Sequence, residues 1–520
     1  MKRNLARSSI VIVVIGILSK IMGTVRTSLI ARSFGQSMET DAYYAAYKGA
    51  MLSMIVINVT INSVLIPIMA KAKEEKGIQG KNFFFNNFNT IAIIINILLA
   101  LLTAGFAPLL AGFLVAGGSR ELMALTIRLI RIMSPSVVFM GFVYAIGAYQ
   151  QSIHRFAPFA AIGIINNLAF YVYLIPKGIH ADIIHLAYIT VVGAGLQLVF
   201  ISFFNGRNQL KIRPIFQPSD PYIRNYILLA IPIFMASGFN QMNHFVTDFL
   251  ASYLEEGVIT TIGNSYRLFS AILQLVAATI ATVVYPTLSE AYTKKDEKTL
   301  SSVVDNGFEA IVLIMVPITI AMIVFSDPIV QIVYERGKFT AYDTYLTKTA
   351  FTLYAVGLLG HGLKQYLNRV FYSGQDTFRP MLIQGISVFL NIALAFIMVR
   401  FIGFRALPLS QALAGIGSAI LLLILLSKQM TFISLWKYSV VLIKAFLASV
   451  IMGITTGKIY GLLTGGVKTS NPKVFLYLIL CGMIGVPLYF VICHFMGFQS
   501  LKQLKKMISN KIKGNQKKED

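Results

Sequence analysis

Charged residues are scarce in this chain of 520 residues: 13% are Asp, Glu, Lys or Arg, while 56% are hydrophobic. Soluble domains need more polar surface, so the composition excludes them and predicts an all-α polytopic membrane protein. Cysteine is almost absent, and Cys481 and Cys493 lie about 18 Å apart by helical rise, too far for a disulfide. The single tryptophan, Trp436, leaves interfacial anchoring to 24 tyrosines and 37 phenylalanines.

Acidic residues are outnumbered, 21 against 45 lysines and arginines, which gives a net charge of +24. The basic residues are scattered through short loops, which is typical of the positive-inside rule, so no nucleic-acid partner is expected. The chain also lacks a P-loop, an HExxH zinc motif and a paired-aspartate DxD motif. These absences predict no enzymatic activity and no cofactor, and any work must come from an ion gradient, the membrane potential or the substrate gradient.

Apolar stretches of about 20 residues predict fourteen transmembrane helices. Lysines and arginines concentrate in alternate loops, which places both termini in the cytoplasm of a multi-pass protein. The predicted spans are 8–31, 41–69, 84–115, 122–151, 157–176, 182–205, 222–251, 257–289, 301–326, 345–373, 379–401, 405–428, 436–462 and 473–497.

Two short similarities indicate an internal repeat, since Pro67 aligns with Pro286 and Pro158 aligns with Pro380. Each pair is about 220 residues and six spans apart, so the two copies keep the same orientation and form lobes related by a parallel pseudo-twofold axis. The predicted domains are a first lobe (1–206, spans 1–6), a cytoplasmic linker (207–221), a second lobe (222–430, spans 7–12), two C-terminal helices (431–498) and a basic cytoplasmic tail (499–520).

Five charged residues inside or next to the spans are the candidate substrate-binding residues. Lys20 and Arg26 lie within span 1, Asp41 and Lys48 open span 2, and Arg267 lies about ten residues into span 8. A charge at mid-membrane costs about 2.5–3.5 kcal/mol, so we expect these cations to line a wet cavity. Two arginines from opposite lobes suit a phosphate or diphosphate, and Asp41 could hold an arginine while the cavity is empty.

Span 7 contains a second polar pattern, in which Asn240, His244 and Asp248 recur every four residues on one helical face. Such a face could bind Na⁺ or H⁺ and drive transport. It could equally form a hydrogen-bonded contact with a neighbouring helix.

Three stretches resemble the MurJ-type lipid II flippases of the MOP exporter superfamily: GTVRTSLIARSFGQSMETDAYYAAYK from residue 23, YERGKFTAYDTYLTKTAFTLYAVGL from residue 334 and LNRVFYSGQDTFRPM from residue 367. The resemblance implies a V-shaped pair of lobes that alternates between inward- and outward-open states. It also implies a central cationic cavity for the diphosphate-sugar head group and a groove by the last two spans for the lipid tail.

The family's functional positions match this chain only in part. Its arginine pair in span 1 falls on Lys20 and Arg26, and its acidic residue at the start of span 2 and arginine in span 8 fall on Asp41 and Arg267. Five positions depart from the pattern: Lys20 replaces an arginine, the family's arginine within span 2 has no counterpart, and acidic positions of the family fall on Thr27, Asn58 and Thr247.

The resemblance therefore predicts a flippase in the bacterial cell membrane that moves an undecaprenyl-diphosphate-linked glycan, lipid II first, for peptidoglycan synthesis. Membrane lipids and a coupling Na⁺ or H⁺ are the other expected partners. A flippase for an exopolysaccharide, capsule or teichoic repeat unit is the alternative transporter. A non-transporting scaffold for envelope enzymes is the alternative from another class.

Overall fold

The computed structural model describes residues 2–204, 212–293, 297–430, 433–467 and 469–498, and throughout these ranges the ordered elements are helices. This confirms the all-α class. The predicted tail at 499–520 lies outside the described residues. The helices are α1 (Lys2–Phe34), α2 (Met38–Thr60), a π-helix (Ile61–Leu65), α3 (Ile66–Gly105), α4 (Ala107–Leu114), α5 (Arg120–Met133), α6 (Ser136–Ser152), α7 (Ala157–Lys177), a 3₁₀ turn (Gly178–His180), α8 (Ile183–Phe203), α9 (Pro221–Ala251), α10 (Val258–Thr293), α11 (Glu297–Val324), α12 (Ser326–Tyr334), α13 (Ala341–Val356), α14 (Leu358–Ser373), α15 (Phe378–Ile402), a second 3₁₀ turn (Gly403–Arg405), α16 (Ala406–Gln429), α17 (Leu435–Thr464) and α18 (Asn471–Phe495).

The outer surface of these helices is apolar. Phe203, Phe401 and Phe495 are 84%, 81% and 85% exposed, which suits contact with lipid. Among the described residues, eight helical stretches are long and apolar enough to cross a membrane, or nine if the bent pair α5–α6 is one span. A multi-pass membrane protein is confirmed, and the count of fourteen spans stays a prediction.

Several predicted spans are broken helices. α5 and α6 meet at Ser134 and Pro135 with a bend of 43°, because a proline cannot continue the hydrogen-bond ladder. α13 and α14 meet at Gly357, where a Cβ atom would lie 2.6 Å from the Cα of Ala412 on α16. The break therefore lies where two backbones approach closely, which only glycine allows.

The chain forms two compact units. The first contains residues 1–260 together with residues 333–343, and the second contains residues 261–332 and 344–520. The predicted lobes divide the chain at residues 207–221 instead, so α9 is assigned to the second lobe by the repeat and to the first unit by packing. The repeat itself stays a prediction.

In the first unit, the described part of the predicted linker lies along α3. The Asn87 side chain donates to the Gln217 carbonyl at 2.8 Å and accepts from the Gln217 backbone N–H at 2.8 Å. Arg213 and Ile215 donate their backbone N–H groups to Asn86 and Thr90 in the same way. Three polar side chains of one helix thus bind an extended segment through its backbone.

In the second unit, α11 packs on α17 through a small polar and aromatic cluster. The ring of Phe308 stacks on Tyr438 with centroids 4.0 Å apart, and the hydroxyl of Tyr438 donates to Asp305 at 2.7 Å. Lys437 forms an ion pair with the same carboxylate at 2.6 Å. Trp436, at the start of α17, is 78% exposed on the outer surface.

Candidate functional site

The two cations of α1 lie in different surroundings. α1 packs on α7, where Asn167 donates to the Ser19 carbonyl at 3.2 Å and Tyr171 donates to the Met22 carbonyl at 2.6 Å. Arg26 continues this face one turn later and is half-buried, whereas Lys20 is exposed. Of the two cations, only Arg26 therefore lies on the face of α1 that packs against α7.

The guanidinium of Arg26 lies in an aromatic environment. Its Cζ atom lies 4.8 Å from the ring centroid of Phe170, a cation–π contact. Its Nε atom is buried and has no hydrogen-bond partner in the described part of the chain. Buried donors in native proteins are almost always paired, so an unpaired guanidinium nitrogen is the feature expected of a group that waits for a ligand.

Asp41 caps a helix that begins more than 200 residues later in the chain. Gly257 precedes α10 and has no side chain to cap it. The Asp41 carboxylate supplies the cap, because it accepts from the N–H of Gly257 at 2.7 Å and from the N–H and hydroxyl of Thr260 at 2.8 and 2.6 Å. Gly257 has a φ of +83°, and a Cβ atom there would lie 2.9 Å from the carbonyl oxygen of Gln36.

Lys48 forms an ion pair with Asp248 of α9. Its Nζ lies 2.6 Å from each carboxylate oxygen, and the side chains are 31% and 2% exposed respectively. The structure thus brings together a predicted substrate-binding residue and a predicted ion-coupling residue. The role of holding a cation, expected for Asp41, falls to Asp248 in this arrangement.

The rest of the polar face of α9 is described in part. His244 lies one turn before Asp248 on α9 and is half-buried. The side chain of Asn240 lies outside the described part of the helix, as does that of Asn58 on α2. Thr247, at a family position that is often acidic, donates its hydroxyl to the Asn243 carbonyl at 2.9 Å.

Arg267 belongs to the second unit, on α10. It is half-buried, and its Nη1 donates to the buried side chain of Asn264 one turn earlier at 3.0 Å. The convergence of Arg267 with Arg26, which belongs to the first unit, stays a prediction. Asn264 was not predicted, although its position three residues before an arginine on a helix would have indicated it.

A loop from the second half of the sequence docks on the end of α1 in the first unit. In this loop, which joins α12 to α13, Lys338 donates its backbone N–H to the Arg32 carbonyl at 2.9 Å. A Cβ atom at Gly337 would collide with the Arg32 carbonyl oxygen, and one at Gly35 would lie 2.6 Å from the Lys338 carbonyl oxygen. Gly35, Gly257 and Gly337 all have positive φ, a backbone conformation that glycine adopts without strain.

The second unit contains an apolar groove of about 540 Å³ between α11, the α13–α14 break and α17. The observed groove is lined by Val316, Thr319, Ile320, Ile323, Val356, Leu359, Leu442, Ile443, Phe446 and Leu447. A lipid groove near the last two spans was predicted only from the family resemblance. Among the residues that the structure describes, no group of His, Cys, Asp or Glu side chains could hold a metal ion.

Comparison with known proteins gives consistent matches. A family model described as lipid II flippase MurJ matches residues 30–476. A protein of Rickettsia prowazekii (strain Madrid E), described as a probable lipid II flippase MurJ, is 27% identical over 392 residues, which cover 75% of this chain and 77% of that protein.

Two solved structures share the fold. A lipid II flippase MurJ in an inward closed conformation superposes with a TM-score of 0.78 at 22% identity, over 94% of this chain and 98% of that one. An inward-facing multidrug resistance transporter of the MATE family, in the MOP superfamily, superposes with a TM-score of 0.64 at 14% identity, over 81% and 98% of the two chains.

Proposed function

Since this chain belongs to the lipid II flippase MurJ family, we propose that it moves lipid II from the inner to the outer leaflet of the bacterial cell membrane for peptidoglycan synthesis. It acts as a transporter and not as an enzyme, by alternating access, with both termini in the cytoplasm. The substrate is an undecaprenyl lipid with a diphosphate-linked sugar, so the protein must bind a doubly charged group inside a membrane.

The buried Nε atom of Arg26, which has no hydrogen-bond partner among the described residues, carries this proposal. A buried donor without an acceptor is costly, and a diphosphate supplies several anionic acceptors in the geometry that a guanidinium binds best. Lys20 and Lys48 of the first unit and Arg267 of the second add positive charge for the same anion. A lysine in place of arginine keeps the charge of Lys20 but loses the planar fork, so we assign the bidentate contact to Arg26.

The apolar groove of the second unit suits the lipid tail of the proposed substrate. Its walls are aliphatic and aromatic apart from Thr319, whose hydroxyl is already bonded to the Met315 carbonyl at 2.9 Å. Such a lining favours a hydrocarbon chain over a polar ligand. We assign the groove to a stretch of the undecaprenyl tail, while the head group binds at the cations.

We propose the membrane potential as the driving force. Moving one elementary charge across a membrane changes its free energy by about 2.3 kcal/mol per 100 mV. An inside-negative potential therefore favours outward movement of the diphosphate. The pairing of Asp248 with Lys48 supports a helix contact over a free Na⁺ site on α9.

The test combines complementation and reconstitution. Arg26→Ala and Arg267→Ala should fail to support growth of a flippase-depleted strain while reaching the membrane at wild-type level. Arg400→Ala, which removes an exposed arginine at the end of α15, is the matched control and should complement. Full complementation by both cavity variants would remove the mechanism.

Purified protein in liposomes should then move labelled lipid II between leaflets. A protein that moves a capsule or teichoic repeat unit but not lipid II would establish the alternative substrate class. A protein that moves no lipid-linked sugar would support a scaffold.

A further inference from the structure

The ion pair between α2 and α9 is asymmetric. Both oxygens of Asp248 contact the same ammonium, and within the described residues they have no other side-chain partner. The carboxylate is almost completely buried, whereas almost a third of the Lys48 side chain is exposed. An ammonium has three donor hydrogens and the Lys48 side chain is partly exposed, so Lys48 can contact an incoming anion before it leaves Asp248.

We propose that Lys48 and Asp248 form an exchangeable ion pair. Asp248 binds the ammonium while the substrate site is empty, and the substrate diphosphate takes its place when it binds. This inference rests on the proposed function, because it assigns Lys48 to the same diphosphate as Arg26. Asp248 is then a positioning residue that acts through Lys48.

The surroundings explain why the pair re-forms after the substrate leaves. Asp41 lies two turns before Lys48 on α2 and is also buried. Both oxygens of Asp41 are already used by the first turn of α10, so Asp41 does not compete for the ammonium. Without Lys48, the almost completely buried Asp248 carboxylate would lose the cation bonded to it, which is strongly unfavourable.

The pair also limits the affinity for substrate. A transporter must release what it binds, and a cavity of unopposed cations would hold a diphosphate too tightly. Taking Lys48 away from Asp248 costs free energy that is returned when the substrate departs. The internal carboxylate therefore lowers the affinity for lipid II and speeds its release.

Charge exchange between the two positions separates this mechanism from a static brace. The double variant Lys48→Asp with Asp248→Lys restores the ion pair but places the exposed charge of the pair on a carboxylate. We expect each single charge reversal to lower thermal stability and abolish transport. The double variant should regain thermal stability but not transport. Double exchange at the ion pair of Lys348 with Asp327, also 2.6 Å apart, is the matched control and should retain transport.

A second variant keeps the proposal testable if the exchanged protein does not fold. Asp248→Asn leaves Lys48 without its counter-ion, and we expect it to bind lipid II about tenfold more tightly, or 1.4 kcal/mol, and to flip it several-fold more slowly. The measurements are binding of fluorescent lipid II to purified protein and its movement in proteoliposomes.

Two results would overturn the proposal. If the double variant Lys48→Asp with Asp248→Lys recovers transport, the ion pair is only a structural contact, for which any two opposite charges suffice. Unchanged or weaker lipid II binding by a folded Asp248→Asn variant would show that Asp248 does not compete with the substrate. A wild-type protein that moves no lipid II in the same liposomes would instead contradict the proposed function.

Discussion

Removal of the Asp41 carboxylate tests the helix cap that this residue supplies to α10. In Asp41→Ala, the buried N–H groups of Gly257 and Thr260 lose their acceptor, and the Thr260 hydroxyl loses a partner. An orphaned buried donor costs about 1–3 kcal/mol, while loss of an N-cap costs about 0.5–2 kcal/mol. Because the hydroxyl can rotate to another acceptor, we expect a total loss of about 2–4 kcal/mol in the free energy of unfolding.

Asp41→Asn should show a graded effect. The amide oxygen can keep both bonds to Thr260, but its NH₂ group cannot accept from the N–H of Gly257. We therefore expect roughly half of the alanine effect. Glu39→Ala is the matched control, because it removes an acidic residue from the same first turn of α2 without a described hydrogen bond to α10.

The assay is the fraction of monodisperse protein that survives heating in mild detergent, followed by size-exclusion chromatography. The expected order of midpoints is wild type and Glu39→Ala together, then Asp41→Asn, then Asp41→Ala. If Asp41→Ala melts with the wild type, the cap contributes nothing to the folded protein. If Asp41→Asn and Asp41→Ala have the same melting midpoint, the bonds to Thr260 contribute nothing to stability.

Three further predictions concern other regions. Gly337→Ala should lower the melting midpoint more than Gly466→Ala, because both glycines have positive φ but only the first packs against a backbone carbonyl; the same heating assay measures this. Leu447→Trp, which narrows the apolar groove, should slow transport of undecaprenyl lipid II more than that of a short-chain analogue in proteoliposomes. Partial burial by itself raises the pKa of Asp376, but hydrogen bonds from Arg379 outweigh it and hold the pKa below its usual value. The stabilisation by Asp376 is thus complete at neutral pH and lost as the pH falls below about 4, so Asp376→Asn should reduce the acid dependence of the melting midpoint.

The helical class and its apolar surface could be predicted from composition, because lipid selects for both along every span. The break between α13 and α14 could not be predicted in this way. Gly357 lies in a stretch that reads as one apolar helix, and the break depends on the backbone of α16 at Ala412, more than 50 residues later. Spacing along the chain contains no information about such a contact.

In the candidate site, too, local spacing could be predicted from the sequence, whereas contacts between distant residues could not. The four-residue spacing of His244 and Asp248 places both residues on one face of α9, since helical periodicity is local. It did not predict that Lys48 would reach that face, because the partners are 200 residues apart. Asp41 is predicted as a partner for an arginine, whereas its carboxylate accepts from the N–H groups of Gly257 and Thr260 and from the Thr260 hydroxyl. These donors lie more than 200 residues later in the chain, and the backbone N–H groups among them have no signature in the side-chain sequence.

The scarcity of tryptophan gives the protein an intrinsic optical reporter. Trp436 is highly exposed on the outer surface at the start of α17, the helix that also lines the apolar groove. Its emission should depend on the depth at which it sits among the acyl chains, and brominated lipids should quench it. Because indole fluorescence in the unmodified chain arises from one position, α17 can be followed during turnover without attaching a dye.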